Sequence, residues 1–385
     1  MSPHFDPEGA LLVEIARKQV STSDDDRIHS LFDNQLDWDY LLSLARGNGM
    51  RPILLHGLQE SNPERVPDRV LTRLENVQEQ VARRNLFMAH ELSSLLDQLE
   101  NHDVPALPFK GPTQAQLVFD AIGMREFNDL DILVSEDELD DAIDVLRAND
   151  YRVKEEFDIG QHVLIHQPTS LPVDLHYSIF PIQYPFSLPF ERLWARRTNV
   201  QIAGNETVWT LDPSDMLLLV AVHSTKHSWF RLEWLLSFTL LANSIETDIQ
   251  RILSEAKRIG CYRMLLLGFA LSERVFRNAP PEQVAQAIST DSAVQRIADQ
   301  ITQSTLFHNI DYSTDFEFHR HRYNRQLILM PDLQSMIKYG LRIRGSYLAN
   351  ELARFEQTTR FDPRRFLVQP IRRIYSMYTR LLDRS

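Results

Sequence analysis

Cysteine is almost absent from this sequence, which has one cysteine, Cys261, in 385 residues. A single cysteine excludes an internal disulfide framework and a zinc ribbon, and it is typical of a protein of the reducing cytosol. Long apolar runs are also missing, since no uncharged stretch approaches the roughly 18 residues that a membrane span needs. The N-terminus shows no basic segment followed by an apolar one. We therefore predict no secretory signal, no transmembrane segment and a cytoplasmic location.

Positive charge is in deficit, with 41 lysines and arginines against 53 aspartates and glutamates and a formal net charge of −12. This balance disfavours a general nucleic-acid binder, although it allows a local basic surface. The chain is 43% hydrophobic and 24% charged, which is typical of a globular protein and not of a disordered one. Its length allows two or three structural units.

The spacing of apolar residues divides the chain into helical and mixed regions. Apolar residues follow helical spacing at both ends, whereas short apolar runs punctuated by prolines alternate with helical stretches in the centre. We predict an α+β fold, in which a small mixed β-sheet with helices is flanked by N-terminal and C-terminal helical regions. The predicted division is a helical region over 1–100, an α/β core over 101–210, a helical domain over 211–310 and a C-terminal helical extension with a basic tail over 311–385.

Two aspartates interrupt the apolar run "EFNDLDILV" at residues 126–134. Residues two apart in a strand point to the same face, so Asp129 and Asp131 project together while Leu130 and Ile132 project to the other side. Two carboxylates so close are costly unless a cation lies between them, and hard oxygen ligands suit Mg²⁺. The alternative is a strand end at which both aspartates reach solvent.

Cationic residues precede this acidic strand. The stretch "LPFKGPTQAQLVF" at 107–119 predicts a strand, a tight turn and the start of a helix. Free backbone N–H groups at such a turn suit a phosphate, Gly111 allows close approach, and Lys110 adds a charge. Arg125 is a candidate either for binding a phosphate or for neutralising Glu126.

A third acid stands in "PVDLHYS" at residues 172–178, where Asp174 is flanked by apolar residues. If this strand lies beside the strand of Asp129 and Asp131, three carboxylates meet on one face. We predict that His176 points to the opposite face from Asp174 and is structural.

The order "FKGP", "REFNDLDILV", "VDLH" resembles the nucleotidyltransferase superfamily with the polymerase-beta-like fold, and more closely the bacterial family of uncharacterised nucleotidyltransferases. Residues 36–54 are similar to the family's N-terminal helical signature, and residues 222–242 to its downstream helix with the pattern His-x-x-x-His-x-Trp. The resemblance covers roughly residues 35–245. It implies a nucleotidyltransferase-like core and a nucleotide-binding, metal-binding transferase, with ATP among the expected nucleotides.

The resemblance also implies roles for the acids. Asp129, Asp131 and Asp174 would hold two Mg²⁺ ions, with Mn²⁺ as a possible substitute, and would be the catalytic residues. A nucleoside triphosphate would enter with its triphosphate on the metals, an acceptor would attack the α-phosphate, and pyrophosphate would leave. Lys110, Arg125 and the backbone of Gly111 would hold phosphates. The expected nucleotide- and phosphate-binding residues also include Lys226 and His227.

Two departures from the family pattern stand out. Lys110-Gly111 replaces the glycine-serine pair that is usual in the superfamily, and Ser237 stands where close relatives often carry an aspartate. The pair His223 and His227 shares one helix face and leaves three alternatives open. They are a zinc site, packing at the helix surface, and contact with nucleotide or acceptor by Lys226, His227 and Trp229.

The acceptor is not specified by the sequence. Relatives of this kind occur beside peptide-modification and surface-polysaccharide genes, so a small molecule, a peptide or a glycan precursor are all candidates. Two alternative functions remain: transfer of a glycosyl or other group from a nucleotide-linked donor, and a non-catalytic nucleotide-binding or toxin–antitoxin-type protein. The arginine-rich segment from Arg360 to Ser385 could contact an acidic partner, an anionic surface, or the acidic domain of the same chain.

Overall fold

The computed structural model describes residues 5–21, 25–61, 63–157, 160–203, 206–245, 248–304 and 324–343. The N-terminal part of this range is helical. Asp6 and Asp37 begin two of its helices, because their carboxylates accept hydrogen bonds from the backbone N–H groups of Gly9 at 2.7 Å and Tyr40 at 3.0 Å. The helices are α1 (Pro7–Val20), α2 (Asp25–Leu31), α3 (Trp38–Gly47), α4 (Arg51–Ser61) and α5 (Asp68–Glu100).

A mixed sheet of five strands follows, in the order β1-β2-β5-β4-β3. Its central pair, β2 and β5, runs parallel, and the other neighbours run antiparallel. Two helices lie between its strands, α6 (Gly111–Phe119) and α7 (Leu139–Ala148). The strands are β1 (Leu107–Pro108), β2 (Leu130–Leu133), β3 (Tyr151–Phe157), β4 (Gln161–His166) and β5 (Pro172–His176).

The apolar face of β2 packs under helices. Leu130 and Ile132 are buried in one cluster with Leu92 and Leu95 of α5 and with Leu146 of α7. This burial is what the alternation of apolar and acidic residues in β2 predicts. The opposite face of β2 is therefore the one that carries Asp131.

The remainder of the described chain is a short hairpin and a second set of helices. These helices share one apolar core with the N-terminal ones, in which Leu11 and Leu54 join Trp229, Phe238 and Leu267. Residues 324–328 and 333–343 are also helical. The elements are α8 (Phe190–Arg196), β6 (Thr198–Gln201), β7 (Thr207–Thr210), α9 (Pro213–Lys226), α10 (Leu232–Ser244), α11 (Ile249–Ile259), α12 (Tyr262–Phe276), α13 (Glu282–Thr290) and α14 (Ser292–Ser304).

The turn between α3 and α4 reaches across to the start of α10. The side-chain oxygen of Asn48 accepts a hydrogen bond from the backbone N–H of Leu232 at 3.0 Å, and its backbone oxygen accepts one from Glu233 at 3.2 Å. Gly49 has a φ of +67°, and a Cβ there would lie 2.7 Å from a guanidinium nitrogen of Arg231. The turn thus satisfies first-turn N–H groups of α10 and lets Arg231 approach closely.

The predicted α+β class, a small mixed sheet flanked by helical regions, is confirmed. The division at residues 100, 210 and 310 stays a prediction. Apart from 324–343, the predicted C-terminal extension and its basic tail lie outside the described residues. Over the described ranges, none of the helices combines the length and apolar composition that a membrane span requires.

Candidate active site

The parallel pairing of β2 with β5 brings the acids together. Asp131 lies directly opposite Asp174 in the register of the two strands, and Asp129 precedes β2 by one residue. Since register partners in a sheet point to the same face, Asp131 and Asp174 share one side of the sheet, and Asp129 lines the same cavity beside them. The prediction from the sequence assumed that the strand of Asp174 lies beside the strand of Asp131, and the structure shows this pairing. Their catalytic and metal-binding roles stay predictions.

Asp131 is buried at the centre of this group. One of its oxygens, Oδ1, accepts a hydrogen bond from Nζ of Lys110 at 2.6 Å and lies 3.0 Å from Nε2 of His176. Burial alone would raise the pKa of Asp131, but the charge of Lys110 and the hydrogen bond from His176 hold that pKa well below its ordinary range. Asp131 is therefore an anion in the metal-free protein.

The predicted orientation of His176 was wrong, whereas its predicted structural role stays a prediction. Residues 174 and 176 are two apart on β5, so their side chains point to the same face, and the contact between His176 and Asp131 shows that face to be the acidic one. Asp131, Asp174 and His176 offer ligand atoms that all lie within 4.8 Å of one another. The imidazole is thus part of the group that could hold a metal ion.

The other two acids ionise less readily than Asp131. Burial and the charges of Asp131 and Asp129 raise the pKa of Asp174 to about 7, although Nε2 of Gln161 donates a hydrogen bond to it at 3.1 Å. Burial and the charge of Asp131 also raise the pKa of Asp129. A divalent cation would reverse both effects, since it favours the charged form of every carboxylate around it.

Lys110 and Gly111 form the turn between β1 and α6. Lys110 is the residue before the helix, and its side chain makes no capping hydrogen bond to the N–H groups of the first turn. Gly111 has a φ of +57°, a conformation that residues with a Cβ rarely adopt. The ammonium of Lys110 reaches back to Asp131, so in this state it neutralises a carboxylate. Their predicted binding of phosphate is not tested by these contacts.

Arg125 and Glu126 each have a partner from outside the sheet. The guanidinium of Arg125 donates a hydrogen bond to Glu233 of α10 at 2.8 Å in a buried ion pair, and Glu126 instead pairs with Arg51 of α4. The alternative in which Arg125 neutralises Glu126 is therefore wrong. Ser237 donates a hydrogen bond to Glu233 at 2.9 Å, so the residue that departs from the family pattern supports this ion pair.

Two cavities meet at the acids. The first, which we name the arginine cavity, has a volume of about 540 Å³, and the second, the Asp174 cavity, has a volume of about 250 Å³. Both are lined by Lys110, Asp129, Asp131 and His223, whereas Asp174 lines only the smaller one. The acids thus stand where a ligand in one cavity would face a ligand in the other.

The residues at the end of α9 divide between site and core. Lys226 and His227 line the Asp174 cavity, as does His223. Trp229, in contrast, is fully buried in the core and donates its indole N–H to Thr225 at 3.1 Å, so its expected contact with nucleotide or acceptor is wrong.

The zinc alternative for His223 and His227 gains no further ligand. Within the part of the chain that the structure describes, the cluster of potential metal ligands contains neither histidine. Both rings instead lie against Trp234, with centroids 5.1 and 5.4 Å away. Burial and nearby cations, Lys110 among them, lower the pKa of His223 well below its ordinary value, so its imidazole is neutral.

Several cavity residues were not predicted from the sequence. Three arginines come from the N-terminal helices, and Arg231 and Trp234 come from the start of α10. Arg46 and Arg51 lie in the segment 36–54, and Arg231 and Trp234 in the segment 222–242, which resemble patterns of the family, but no local chemistry assigned them to the site. The unpredicted arginines of the N-terminal helices are Arg46, Arg51 and Arg84.

The family model described as uncharacterised nucleotidyltransferase matches residues 34–277, which is more than half of the chain. The chain belongs to the uncharacterised nucleotidyltransferase family. The resemblance noted from the sequence is thereby confirmed, and membership of this family makes the protein a transferase. The match includes every residue of the acidic cluster and both cavities' lining side chains.

Two solved structures of the antibiotic-resistance factor ANT(2'')-Ia are similar to this chain at low level. The solution structure has 13% identity and a TM-score of 0.34, and it covers 45% of this chain and 91% of its own. The crystal structure with adenylyl-2''-tobramycin has 12% identity and a TM-score of 0.35, and it covers 45% of this chain and 97% of its own. Similarity at this level carries no argument about mechanism. Among curated proteins, no match was found.

Proposed function

We propose that this protein transfers a nucleotidyl group from a nucleoside triphosphate to an acceptor, with release of pyrophosphate. The observation that carries the proposal is the register of β2 and β5, which sets Asp131 opposite Asp174 at the junction of two cavities. A transferase needs a donor and an acceptor to meet at one reacting centre. Two cavities that share Asp129 and Asp131 supply such a centre.

The donor groups fit a divalent metal. Asp131, Asp174 and His176 bring their ligand atoms within 4.8 Å of one another, and Asp129 lines the same cavity. Burial first, and then the charges of neighbouring acids, raise the pKa values of Asp129 and Asp174, so a cation between these carboxylates would favour their charged forms. Oxygen-rich sets of this kind suit Mg²⁺, and Mn²⁺ tolerates the same ligands plus imidazole. Two such ions, held by Asp129, Asp131 and Asp174, would supply charge stabilisation for the attacking and leaving oxygens.

We assign the remaining roles in the reaction to side chains of the protein. Asp174 lines only the smaller cavity, so the acceptor binds there, and Asp174 takes the proton of the acceptor hydroxyl as that oxygen attacks the α-phosphorus. The new O–P bond forms as the bond from the α-phosphorus to the bridging oxygen breaks, and pyrophosphate leaves. Lys110, Arg125 and the backbone at Gly111 hold the phosphates. Lys226 and His227 contact the acceptor side.

Several further points remain predictions from the sequence. They are the class of the acceptor, the involvement of peptide-modification or polysaccharide pathways, the cytoplasmic location, and the contact of the basic tail with an acidic surface.

Metal-dependent nucleotide binding tests the proposal. Asp129→Asn should abolish the binding of nucleoside triphosphates that Mg²⁺ or Mn²⁺ supports, because Asp129 lines both cavities where they meet. Loss of its charge should leave the fold intact, since none of the ion pairs among the described residues includes Asp129. Asp144→Asn is the matched control, since Asp144 is on the surface of α7 with its side chain 77% exposed. Transfer of an α-³²P label, together with release of pyrophosphate, then identifies the group moved. Equal, metal-independent binding by the wild type and Asp129→Asn would refute the mechanism.

A further inference from the structure

The arginine cavity is lined by more cations than the acids beside it require. Six cationic side chains line it, against three carboxylates, those of Glu126, Asp129 and Asp131. They come from separate elements that only the folded chain brings together. They are Arg46 of α3, Arg51 of α4, Arg84 of α5, Lys110 before α6, Arg125 before β2 and Arg231 before α10.

Half of these cations have no carboxylate partner. Lys110 and Arg51 neutralise Asp131 and Glu126. Over the described ranges, however, no ion pair includes Arg46, Arg84 or Arg231, and Arg84 donates only to the side-chain and backbone oxygens of Asn128. The cavity therefore holds a surplus of positive charge beside the reacting centre. Such a surplus raises the local concentration of anions.

Two guanidinium nitrogens in the wall lack an acceptor. Nη1 of Arg125 and Nε of Arg231 are buried and, within the described residues, have no hydrogen-bond partner. Arg125 as a whole is only 8% exposed and uses Nε for Glu233. A buried N–H group of a charged side chain is costly to leave without an acceptor. An anionic ligand with several oxygens would satisfy both groups.

The chemistry and size of the cavity favour a polyphosphate. Guanidinium groups match phosphate oxygens in geometry, and several of them from different directions suit more than one phosphate. The volume of about 540 Å³ is in the range of small-molecule sites. Trp234 closes the wall beside Arg231, with its ring 5.7 Å from that guanidinium.

We propose that the arginine cavity binds the terminal phosphates of the donor and thereby selects a nucleoside triphosphate over a nucleotide-linked sugar. A triphosphate carries about four negative charges near neutral pH, whereas the bridging diphosphate of a nucleotide sugar carries about two and has no terminal phosphate. Arg46 and Arg84 then act as donor-selecting residues, which gives the N-terminal helices a direct part in substrate binding. This inference rests on the proposed function for the identity of the donor.

The test uses inorganic tripolyphosphate as the probe, with the full chain and at fixed ionic strength. Arg46→Gln combined with Arg84→Gln should weaken its binding by about 100-fold, at about ten-fold for each charge-assisted contact. Arg83→Gln is the matched control, because Arg83 is the neighbour of Arg84 on α5, lines neither cavity and has a side chain 78% exposed. Arg83→Gln should change the affinity by less than about two-fold. Equal losses in both variants, or no loss in the double variant, would overturn the proposal.

Competition distinguishes the source of the phosphates. A nucleoside triphosphate should displace tripolyphosphate, and a nucleotide sugar at the same concentration should not. Simultaneous binding of tripolyphosphate and nucleoside triphosphate would assign the cavity to a phosphorylated acceptor and overturn the donor assignment. Nucleotidyl transfer with an unchanged KM in the double variant would refute this inference and leave the proposed function standing. Arginine-dependent triphosphate binding without any nucleotidyl transfer would refute the proposed function and leave the binding of triphosphate by the arginine cavity standing.

Discussion

Replacing Asp174 with asparagine should stabilise the metal-free protein above neutral pH. The substitution keeps the shape of the side chain and a group that Gln161 can contact, but it removes a carboxylate whose pKa is raised to about 7 from an ordinary value of 3.8. The cause is burial, followed by the charges of Asp131 and Asp129. An amide at this position carries no such penalty.

The sign and size follow from proton binding. The folded state binds the proton of Asp174 more tightly than the unfolded state does, so this group lowers stability as pH rises from 3.8 to about 7. At about 1.4 kcal/mol for each pKa unit, the penalty reaches an upper limit of about 4 kcal/mol above pH 7 and about 1.6 kcal/mol at pH 5. Because Lys110 and the neighbouring acids adjust, we expect the substitution to add about 2 kcal/mol at pH 8 and less than about 1 kcal/mol at pH 5.

Urea denaturation in the presence of EDTA, at both pH values, measures this difference. Asp144→Asn, at an exposed position, should leave the stability unchanged within about 0.5 kcal/mol. Addition of Mg²⁺ or Mn²⁺ should then stabilise the wild type more than Asp174→Asn, since the wild type keeps all of its ligands. A loss of stability in Asp174→Asn at pH 8, or the same gain at both pH values, would refute the reasoning.

Other predictions concern the contacts around the site, all measured by urea denaturation without metal. Lys110→Met should lower the free energy of unfolding by about 3 kcal/mol, because it leaves the buried carboxylate of Asp131 without its cation, and Asp131→Asn in the same chain should restore most of the loss. Asn48→Ala should cost about 1–2 kcal/mol, since it removes the acceptor of the Leu232 N–H. Gly49→Ala should cost at least about 1 kcal/mol, because of its φ of +67° and the nearby Arg231.

Three of these outcomes have an informative contrary result. If Lys110→Met were neutral, His176 alone would suffice to satisfy Asp131. If the Asp131→Asn restoration failed, the loss in Lys110→Met would come from packing of the lysine stem. A neutral Asn48→Ala would show that solvent replaces the amide at the start of α10.

The acidic half of the site was within reach of the sequence because its determinants are local. A strand of alternating apolar and acidic residues specifies which face is buried, and Asp131 and Asp174 each sit in such a strand. The same rule, applied to residues 174 and 176, predicts His176 on the acidic face. The orientation of His176 could therefore have been predicted correctly from the alternation of residues along the strand.

The end of α9 shows a limit of a different kind. The resemblance relates residues 222–242 to a helix of the family, but α9 ends at Lys226, and Ser228 and Trp229 adopt positive φ values of 56° and 55°. Two successive left-handed residues are uncommon outside glycine and asparagine. The reversal turns Trp229 into the core and leaves Trp234, from the next helix, at the cavity.

Lys110 and Arg125 were predicted from the sequence, but the other cations of the arginine cavity were not. Arg51 pairs with Glu126 and Arg125 with Glu233, contacts that join residues 75 and 108 positions apart. The overall charge of −12 points away from an anion site, and no basic run marks one. Only the packing of the N-terminal helices against α10 brings these side chains together.

The link from the turn at Asn48 and Gly49 to the start of α10 has an evolutionary consequence. A change at position 231 alters the space that Gly49 leaves open, and a change at position 48 alters the cap on residues 232 and 233. Across relatives, substitutions at 48, 49, 231 and 233 should therefore be correlated, although nearly 200 positions separate the two segments. A chimera that joins the N-terminal helices of one relative to the core of another should fold only when these four positions descend from the same parent.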